Sequence, residues 1–268
     1  MRLRQTAASF ALLALLGAAC VMPARAADPV PLAAHRALYR LTLENVRGAD
    51  ITAAQGSMAF EITDACEGWA TRQRLQLTLT NRDGQDIEMV SDYATWESKD
   101  GLQMRFRMRQ TTDTAVQEVV EGAASLDREG GPGTIRYAMP EAKEMPIPAG
   151  AMFPMAHTAA IVAAGEQGRR FVQIPIFDGT SAKGVQDSSV VLGTWGAQPT
   201  APYPALASMP SGRVRIAFYE RERSAQKPDY EVGMRYWANG VADELQMDFT
   251  DFVMQGRMTE FALTPPHC

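Results

Sequence analysis

One histidine of the chain has neighbours that could do chemistry. His157 lies in the segment "MFPMAHTAA", and Asp178 follows it in "IFDGT". A hydrolase of the serine or cysteine type needs a nucleophile beside a histidine, and a carboxylate that orients the histidine. His157 and Asp178 could supply the second and third groups, but the chain has no GxSxG motif to supply the first. The more common arrangement is a structural hydrogen bond between His157 and Asp178, which would fix a helix to a sheet.

Other signatures of catalysis are missing from the sequence. It has no HExxH, Walker A or GxGxxG motif, and no pair of carboxylates stands out. A glycosidase needs two carboxylates without any fixed local spacing, so the sequence neither supports nor opposes that class. We therefore expect a protein without catalytic residues, cofactor or metal site. A hydrolase that uses His157 and Asp178 is the weaker alternative.

Residues 1–26 have the pattern of a cleaved secretory signal peptide. Two arginines precede an apolar run, and Ala24-Arg25-Ala26 offers small residues at the two positions that signal peptidase reads. Cleavage would leave a single domain of residues 27–268. The apolar run is too short for a membrane span and no longer run follows, so we expect no stable membrane insertion. Acylation of Cys20 is the alternative, but Gly17 stands where a lipoprotein signal usually has leucine.

Two cysteines remain after removal of the signal peptide, Cys66 and Cys268. In an exported chain an even pair of cysteines favours a disulfide. The bond would close a chain loop of about 200 residues, which the chain-entropy model values at about 5 kcal/mol. Two free thiols are the alternative, since two cysteines and scattered histidines are too few ligands for a zinc site.

The chain is acidic, with 26 basic and 31 acidic residues and a formal net charge of −5 at pH 7. Loss of the three arginines in the signal peptide changes this charge from −5 to −8. The charge argues against a nucleic-acid partner and against adhesion to anionic lipid head groups. The 15 methionines suit an apolar surface that accepts variable shapes, although methionine also fills gaps in ordinary cores.

Apolar and polar residues alternate at period two along most of the exported chain, which is typical of strands with one buried face. The segments "RLQLTLT", "MRFRMRQ" and "ELQMDF" are examples, and Asp83-Gly84 and Asn239-Gly240 are turn sequences beside them. The spacing predicts antiparallel hairpins in one large curled sheet, so the expected fold class is mainly β. Apolar residues expected on the concave face are Leu75, Leu77, Met104, Phe106, Met108, Met234, Tyr236, Leu245 and Met247.

Arginines occupy the opposite face of one predicted strand, at Arg105, Arg107 and Arg109. Such a row could form a basic stripe for an anionic partner. More often it is a solvated sheet face, or it protects an edge from pairing with another chain. We favour the solvated face on these grounds alone.

Two segments depart from the alternation. Small apolar residues over 148–168 predict a short helix from Met155 to Gly165, with Phe153 and Pro154 at its start. This helix would lie across the curled sheet and fill part of its concave side. Residues 195–212 contain four prolines and predict a long semi-rigid loop. The loop is either a plain connector or a functional surface.

Several of these segments resemble a known family. They are "AHRALYRLTL" near the start, "DACEGWATRQRLQL" around Cys66, "MFPMAHT" at the helix, "FDGT", and the terminal cysteine. Together they are similar to the EipB family of periplasmic cell-envelope integrity proteins of Gram-negative bacteria, over about residues 34–268. The resemblance implies a β-spiral like that of LolA and LolB, which carry lipoproteins. Such a spiral is one strongly curved, half-barrel-like antiparallel sheet with a helix near its middle. The resemblance also implies a Cys66–Cys268 disulfide, and the family has no established enzymatic activity.

These observations lead to three hypotheses about function. The first is a non-enzymatic periplasmic protein that supports envelope integrity and binds a lipid, acyl chain or lipoprotein on its concave face. The second is a scaffold that docks a periplasmic protein partner at a sheet edge or at the loop 195–212. The third is the hydrolase. In the first two, Phe153, Pro154, His157 and Asp178 have structural roles.

Overall fold

The structure, a computed structural model, describes residues 30–198, 200–221 and 227–265. The predicted signal peptide, Cys20, His267 and Cys268 lie outside these residues. Strands fill most of the described ranges, and one α-helix and one short 3₁₀-helix (Pro204–Leu206) accompany them. The first strands are β1 (His35–Val46), β2 (Ile51–Asp64), β3 (Gly68–Asn81), β4 (Asp86–Ser98), β5 (Gln103–Thr112), β6 (Ala115–Leu126), β7 (Gly133–Met139) and β8 (Lys143–Ile147). After helix α1 (Pro154–Glu166) come β9 (Phe171–Ile176), β10 (Gln186–Ala197), β11 (Pro210–Glu220), β12 (Tyr230–Trp237), β13 (Ala242–Asp248) and β14 (Phe252–Leu263).

All of these strands belong to one 14-stranded sheet, in the order β8-β7-β6-β5-β4-β3-β2-β1-β14-β13-β12-β11-β10-β9. Each neighbouring pair is antiparallel, and β1 in the middle pairs with both β2 and β14. The chain therefore winds outward from the middle as far as β8, crosses through α1, and returns from β9. The two edges of the sheet, β8 and β9, are joined by the helical segment. This arrangement confirms the predicted curved antiparallel sheet with a central helix.

Alternation at period two separates a buried face from an exposed face. In β5, Met104, Phe106 and Met108 are buried, whereas Arg105, Arg107 and Arg109 between them are exposed. The buried face forms two apolar clusters rather than one. Core 1 lies under β1–β3 and β9–β14, and core 2 lies under β5–β8 and the loop after β9.

Helix α1 begins at Pro154, because a proline in the first turn gives up no helical hydrogen bond. Its observed extent is within one residue of the prediction at each end. Just before it, the Met152 N–H donates to the Pro175 carbonyl (2.9 Å), and the Phe177 N–H donates to the Met152 carbonyl (3.0 Å). These bonds cover part of the β9 edge. In the described part of the chain no helix is both long and apolar enough to cross a bilayer.

The predicted loop 195–212 is shorter than expected. Residues 195–197 pair with residues 210–212 in the β10–β11 ladder, so the connection covers only 198–209. The prediction was wrong at both ends for two reasons. Pro210 is the first residue of its strand, where proline is tolerated, and Trp195 is held by packing rather than by an alternating sequence. A Cβ added to Gly165 of α1 would lie 2.3 Å from the Trp195 ring, and so would one added to Gly212.

Candidate functional site

The nine residues predicted for an apolar ligand site all lie on the inner face of the sheet. Seven of them are buried, and Leu75 and Tyr236 are partly buried against core 1. The set is divided between the two cores. Met104, Phe106 and Met108 belong to core 2, and the other six belong to or pack against core 1. The structure contains no ligand, so their role in binding stays a prediction.

Helix α1 lies over the concave side and connects the two cores. Phe153, at its N-terminus, is fully buried in core 2, where its ring centroid lies 6.5 Å from that of Phe177. Ile161, two turns later, is fully buried in core 1. The helix therefore packs against both apolar clusters on the concave side.

A buried carboxylate caps the N-terminus of the helix. The Phe153 side chain has no atom that could accept a hydrogen bond, so Glu97 of β4 supplies the cap. The Met155 N–H donates to Glu97 Oε2 (2.9 Å), while Glu97 Oε1 has no partner among the described residues. Burial raises the pKa of Glu97 to about 8, and the Met155 hydrogen bond opposes this shift. A single N–H is too little to keep a buried carboxyl fully ionised at neutral pH.

His157 fixes the middle of the helix to the sheet, but not through Asp178 as expected. His157 Nε2 lies 2.8 Å from Ser188 Oγ on β10, and the Ser188 hydroxyl also donates to the Ile174 carbonyl (2.7 Å). The prediction of a His157–Asp178 hydrogen bond was wrong, because the Asp178 carboxylate accepts hydrogen bonds within its own turn. Its Oδ1 accepts from the N–H and the hydroxyl of Thr180, at 2.9 and 2.8 Å.

The protons of this serine–histidine pair are placed for structure rather than for nucleophilic attack. When the single Ser188 hydroxyl hydrogen goes to the Ile174 carbonyl, the contact with His157 is made by the Nε2–H tautomer of the ring, which donates to Ser188 Oγ. A general base would need a free lone pair on that same nitrogen. Burial also lowers the pKa of His157 to about 4, so the ring is neutral at pH 7. Both side chains are buried, with exposures of 4% and 1%.

Asp178 closes a loop over core 2. The Tyr93 hydroxyl donates to the Asp178 carbonyl, and burial raises the pKa of the Asp178 carboxyl. Phe177 beside it packs edge-on against Phe106, with ring centroids 5.1 Å apart. The segment "FDGT" is therefore a packed turn.

His35 is the second histidine of the described chain and is also buried. Its Nδ1 lies 2.8 Å from the Ala33 carbonyl, and its ring lies between Phe60 and Phe261. Burial lowers the pKa of His35, and the Ala33 contact opposes the shift. Across the described residues, no three His, Cys, Asp or Glu side chains come together to form a metal site.

Cys66 lies in the turn between β2 and β3, in a left-handed conformation with φ of 65°. Its predicted partner, Cys268, lies outside the described residues, so the pairing stays a prediction. The register of the neighbouring strands favours it. His35 faces Ile62 of β2 on one side and Leu263 of β14 on the other. The two strands therefore leave the sheet at the same end, about 10 Å apart at that row.

Two functional contacts were missed by sequence analysis. Glu97 has a visible signal, because period two places it on the same inward face as Tyr93 and Thr95, where a charge is unusual. Ser188 has none, since either of the two adjacent serines in "DSSVVLG" is as compatible with solvent as with a buried histidine.

Fold and site together define a half-barrel-like sheet protein whose interior polar groups hold its central helix in place. The family model described as EipB-like matches residues 26–265, and the chain belongs to this family. It is 29% identical over 245 residues to the cell envelope integrity protein EipB of Brucella abortus, covering 88% of this chain and 86% of that one. It also matches the crystal structure of a beta-barrel-like protein of a domain of unknown function (DUF1849) from Brucella abortus. That match has a TM-score of 0.79 and 25% identity, and covers 88% of this chain and all of the other.

Proposed function

We propose that the protein supports the integrity of the cell envelope as a non-enzymatic component of the periplasm. The observation that carries this proposal is the similarity to EipB of Brucella abortus, a protein named for envelope integrity, over 88% of the chain. The predicted signal peptide supports the compartment. Family membership alone does not supply a mechanism, because a shared fold serves many functions.

The interior geometry supports a non-catalytic role. Ser188 and His157 are buried and have the wrong proton arrangement for a nucleophile and its base. Asp178 is engaged by Thr180, and Glu97 caps the helix. The two residues predicted for a hydrolase, His157 and Asp178, therefore each have a structural contact.

Binding of an acyl chain on the concave face is a second candidate function, and one observation favours it. Some apolar side chains packed against core 1 are only partly buried, so they leave apolar surface that an acyl chain could contact. They include Leu43, Ile51, Leu75, Ile87, Met89 and Val232. Docking of a protein partner has less support. Met152 covers part of the β9 edge, Pro146 interrupts the short edge strand β8, and Leu206 fixes the connection 198–209.

Envelope integrity is tested by deleting the gene in its source bacterium and measuring survival in detergent and in large antibiotics. We expect the deletion to raise sensitivity, and expression of the wild-type chain to restore resistance. Ser188→Ala should restore it as well, since no catalysis is lost. A deletion strain as resistant as its parent would contradict the proposed function. If a normally folded Ser188→Ala protein did not restore resistance, the result would support the hydrolase hypothesis.

Acyl-chain binding is tested by native mass spectrometry of protein purified from the periplasm. We expect a bound lipid that organic extraction removes. Leu75→Lys, at one of these partly buried inner residues, should abolish its retention, whereas Val191→Lys, at an exposed apolar residue on the outer face, should not. Wild-type protein without lipid, and unable to take up an added fatty acid, would contradict this second candidate.

A further inference from the structure

A groove crosses the outer face of the sheet, on the side away from both cores. It runs over β14, β1, β2, β3, β4 and β5 and has a volume of about 760 Å³. Its walls include Arg36, Arg72, Arg74, Arg107 and Arg109, and we call it the arginine groove. Two of these belong to the row of arginines already visible in the sequence of β5. The sheet register adds the other three from β1 and β3.

The register places three of the arginines in one row across the sheet. Arg36 faces Glu61, Glu61 faces Arg72, Arg72 faces Ala94, and Ala94 faces Arg107. The arginines of this row therefore stand on every second strand. Because neighbouring strands lie about 4.8 Å apart, successive arginines of the row start about 10 Å apart.

Carboxylates in the groove are too few to neutralise it. Five arginines line it with only three acidic residues, Glu61, Asp92 and Glu260. Arg74 Nη1 donates to both carboxylate oxygens of Asp92, at 2.7 and 3.0 Å. Arg36, Arg72 and Arg109 are exposed and have no ion pair within the described ranges. A local excess of positive charge thus lies on a chain whose net charge is −5.

We propose that the arginine groove binds an anionic oligosaccharide, an extended sugar chain that carries carboxylate or phosphate groups on alternate sugars. Guanidinium groups match both anions with paired hydrogen bonds. Between the arginines the exposed outer residues are small, Ala59 and Ala94, and leave room for flat sugar rings. The proposal goes beyond support of envelope integrity and does not depend on it.

Spacing and shape favour a sugar chain over other anions. An extended peptide presents side chains of one face about every 7 Å, which is shorter than the distance of about 10 Å between arginines in the row. A flat anionic membrane would not follow the recessed surface of the groove.

The test is calorimetric titration of the full exported chain at low salt with a hyaluronan hexasaccharide, in which every second sugar carries a carboxylate. Chitohexaose, a sugar chain of the same length without charged groups, is the control. We expect the charged sugar alone to bind, with an affinity that falls as salt is added. Hexaglutamate and phosphatidylglycerol vesicles are the peptide and membrane comparisons. Absence of saccharide binding, or tighter binding of either comparison, would overturn the proposal.

Variants locate the site. Arg36→Gln/Arg72→Gln/Arg109→Gln should lower the affinity at least tenfold without changing the melting curve, because these side chains are exposed and have no ion pair with another described residue. Glu61→Gln should raise it several-fold, since Glu61 faces both Arg36 and Arg72. Arg213→Gln/Arg215→Gln, on another part of the outer face, is the matched control and should bind as wild type does. Equal loss of binding in the triple variant and the control would overturn the assignment.

Discussion

Two grooves of nearly equal volume cross the outer face of this sheet, and they differ in how far their arginines are paired with carboxylates. The second groove lies over β10–β14, with a volume of about 770 Å³ against about 760 Å³ for the arginine groove. We call it the paired groove. Of the three arginines that line it, Arg213 contacts Glu244 and Arg215 contacts Glu231 and Asp248, whereas Arg257 has no ion pair among the described residues. Arg235, next to this groove, also contacts Glu244. Of the five arginines of the arginine groove, Arg74 and Arg107 have ion-pair partners among the described residues, Asp92 and Glu121.

The difference arises from the neighbouring strands rather than from the arginine-bearing strands. "RVRIAF" in β11 and "MRFRMR" in β5 alternate in the same way. Strands β12 and β13 supply three carboxylates, Glu231, Glu244 and Asp248, within reach of the two arginines of β11. In the arginine groove one carboxylate, Glu61, stands opposite both Arg36 and Arg72, and alanines stand on the other side of each arginine, at Ala262 and Ala94. The number of carboxylates on the neighbouring strands therefore decides whether a row of arginines forms an ion-paired face or a basic groove.

The largest expected effect concerns the predicted Cys66–Cys268 bond, which would tie β2, in the arginine groove, to the end of β14. Cys66→Ser should lower the free energy of unfolding by about 5 kcal/mol on the chain-entropy model. Thermal melting measures this loss. Hydrogen exchange should rise more in β1–β3 than in β11–β12, since only the first set is next to the bond. An unchanged melting curve after reduction would mean that the bond is absent or idle.

Acid should weaken the side of the molecule that carries the paired groove, because His157 fixes the helix to β10. Its pKa is about 4 in the folded state and about 6.5 in the unfolded state. Between these values the unfolded chain binds more protons, so stability falls as pH drops from 6.5 to 4. The loss reaches about 3 kcal/mol, and the buried His35 adds to it in the same direction.

Denaturant unfolding at pH 7 and pH 4.5 measures this dependence. His157→Gln keeps a hydrogen-bond donor but cannot titrate, so it should flatten the acid side of the profile. A profile as steep in the variant as in the wild type would contradict the role of His157.

Glu97 changes the stability in the opposite direction. Its pKa is raised to about 8 in the folded state, so the stability that it contributes is lost as pH rises from about 4.5 through 8.

Packing under the paired groove depends on Gly165, which lets the helix approach Trp195. Gly165→Ala would place a methyl group 2.3 Å from the Trp195 ring. We expect a destabilisation of about 2 kcal/mol from overpacking, in spite of the better helix propensity of alanine. Glu166 is the next residue and is exposed, so Glu166→Ala serves as the control and should change the free energy of unfolding by no more than about 0.5 kcal/mol. Equal melting temperatures for the two variants would show that the contact is not tight.

The smallest effect separates the two grooves themselves. Arg215→Gln should cost about 1 kcal/mol, because it removes the contacts of Arg215 with Glu231 and Asp248, although Asp248 keeps its ion pair with Arg47. Arg72→Gln should leave stability within about 0.5 kcal/mol of wild type, since Arg72 has no ion-pair partner among the described residues. Chemical denaturation of the two variants side by side checks this. A larger loss for Arg72→Gln would remove the distinction between the grooves.

The sequence predicted local features well and pairings poorly. Period two in "MRFRMRQ" identified the buried and exposed faces of β5, and Pro154 identified the start of the helix. Which groups meet across the fold depends on register and on the path of the chain. His157 therefore bonded to Ser188 instead of Asp178, and Trp195 turned out to be packed strand rather than loop. The inner face was predicted correctly, but its division into two cores depends on how the sheet coils, which alternation does not encode.

The most direct measurement of the contrast between the grooves is an NMR titration that follows the side-chain Nε–Hε signals of the arginines as hyaluronan hexasaccharide is added. We predict that the signals of Arg36, Arg72 and Arg109 shift and that the shifts saturate as the hexasaccharide concentration rises. The signals of Arg213, Arg215 and Arg235 should stay in place, because their carboxylate partners already occupy them. Equal shifts in both sets, or shifts confined to the paired groove, would contradict the account.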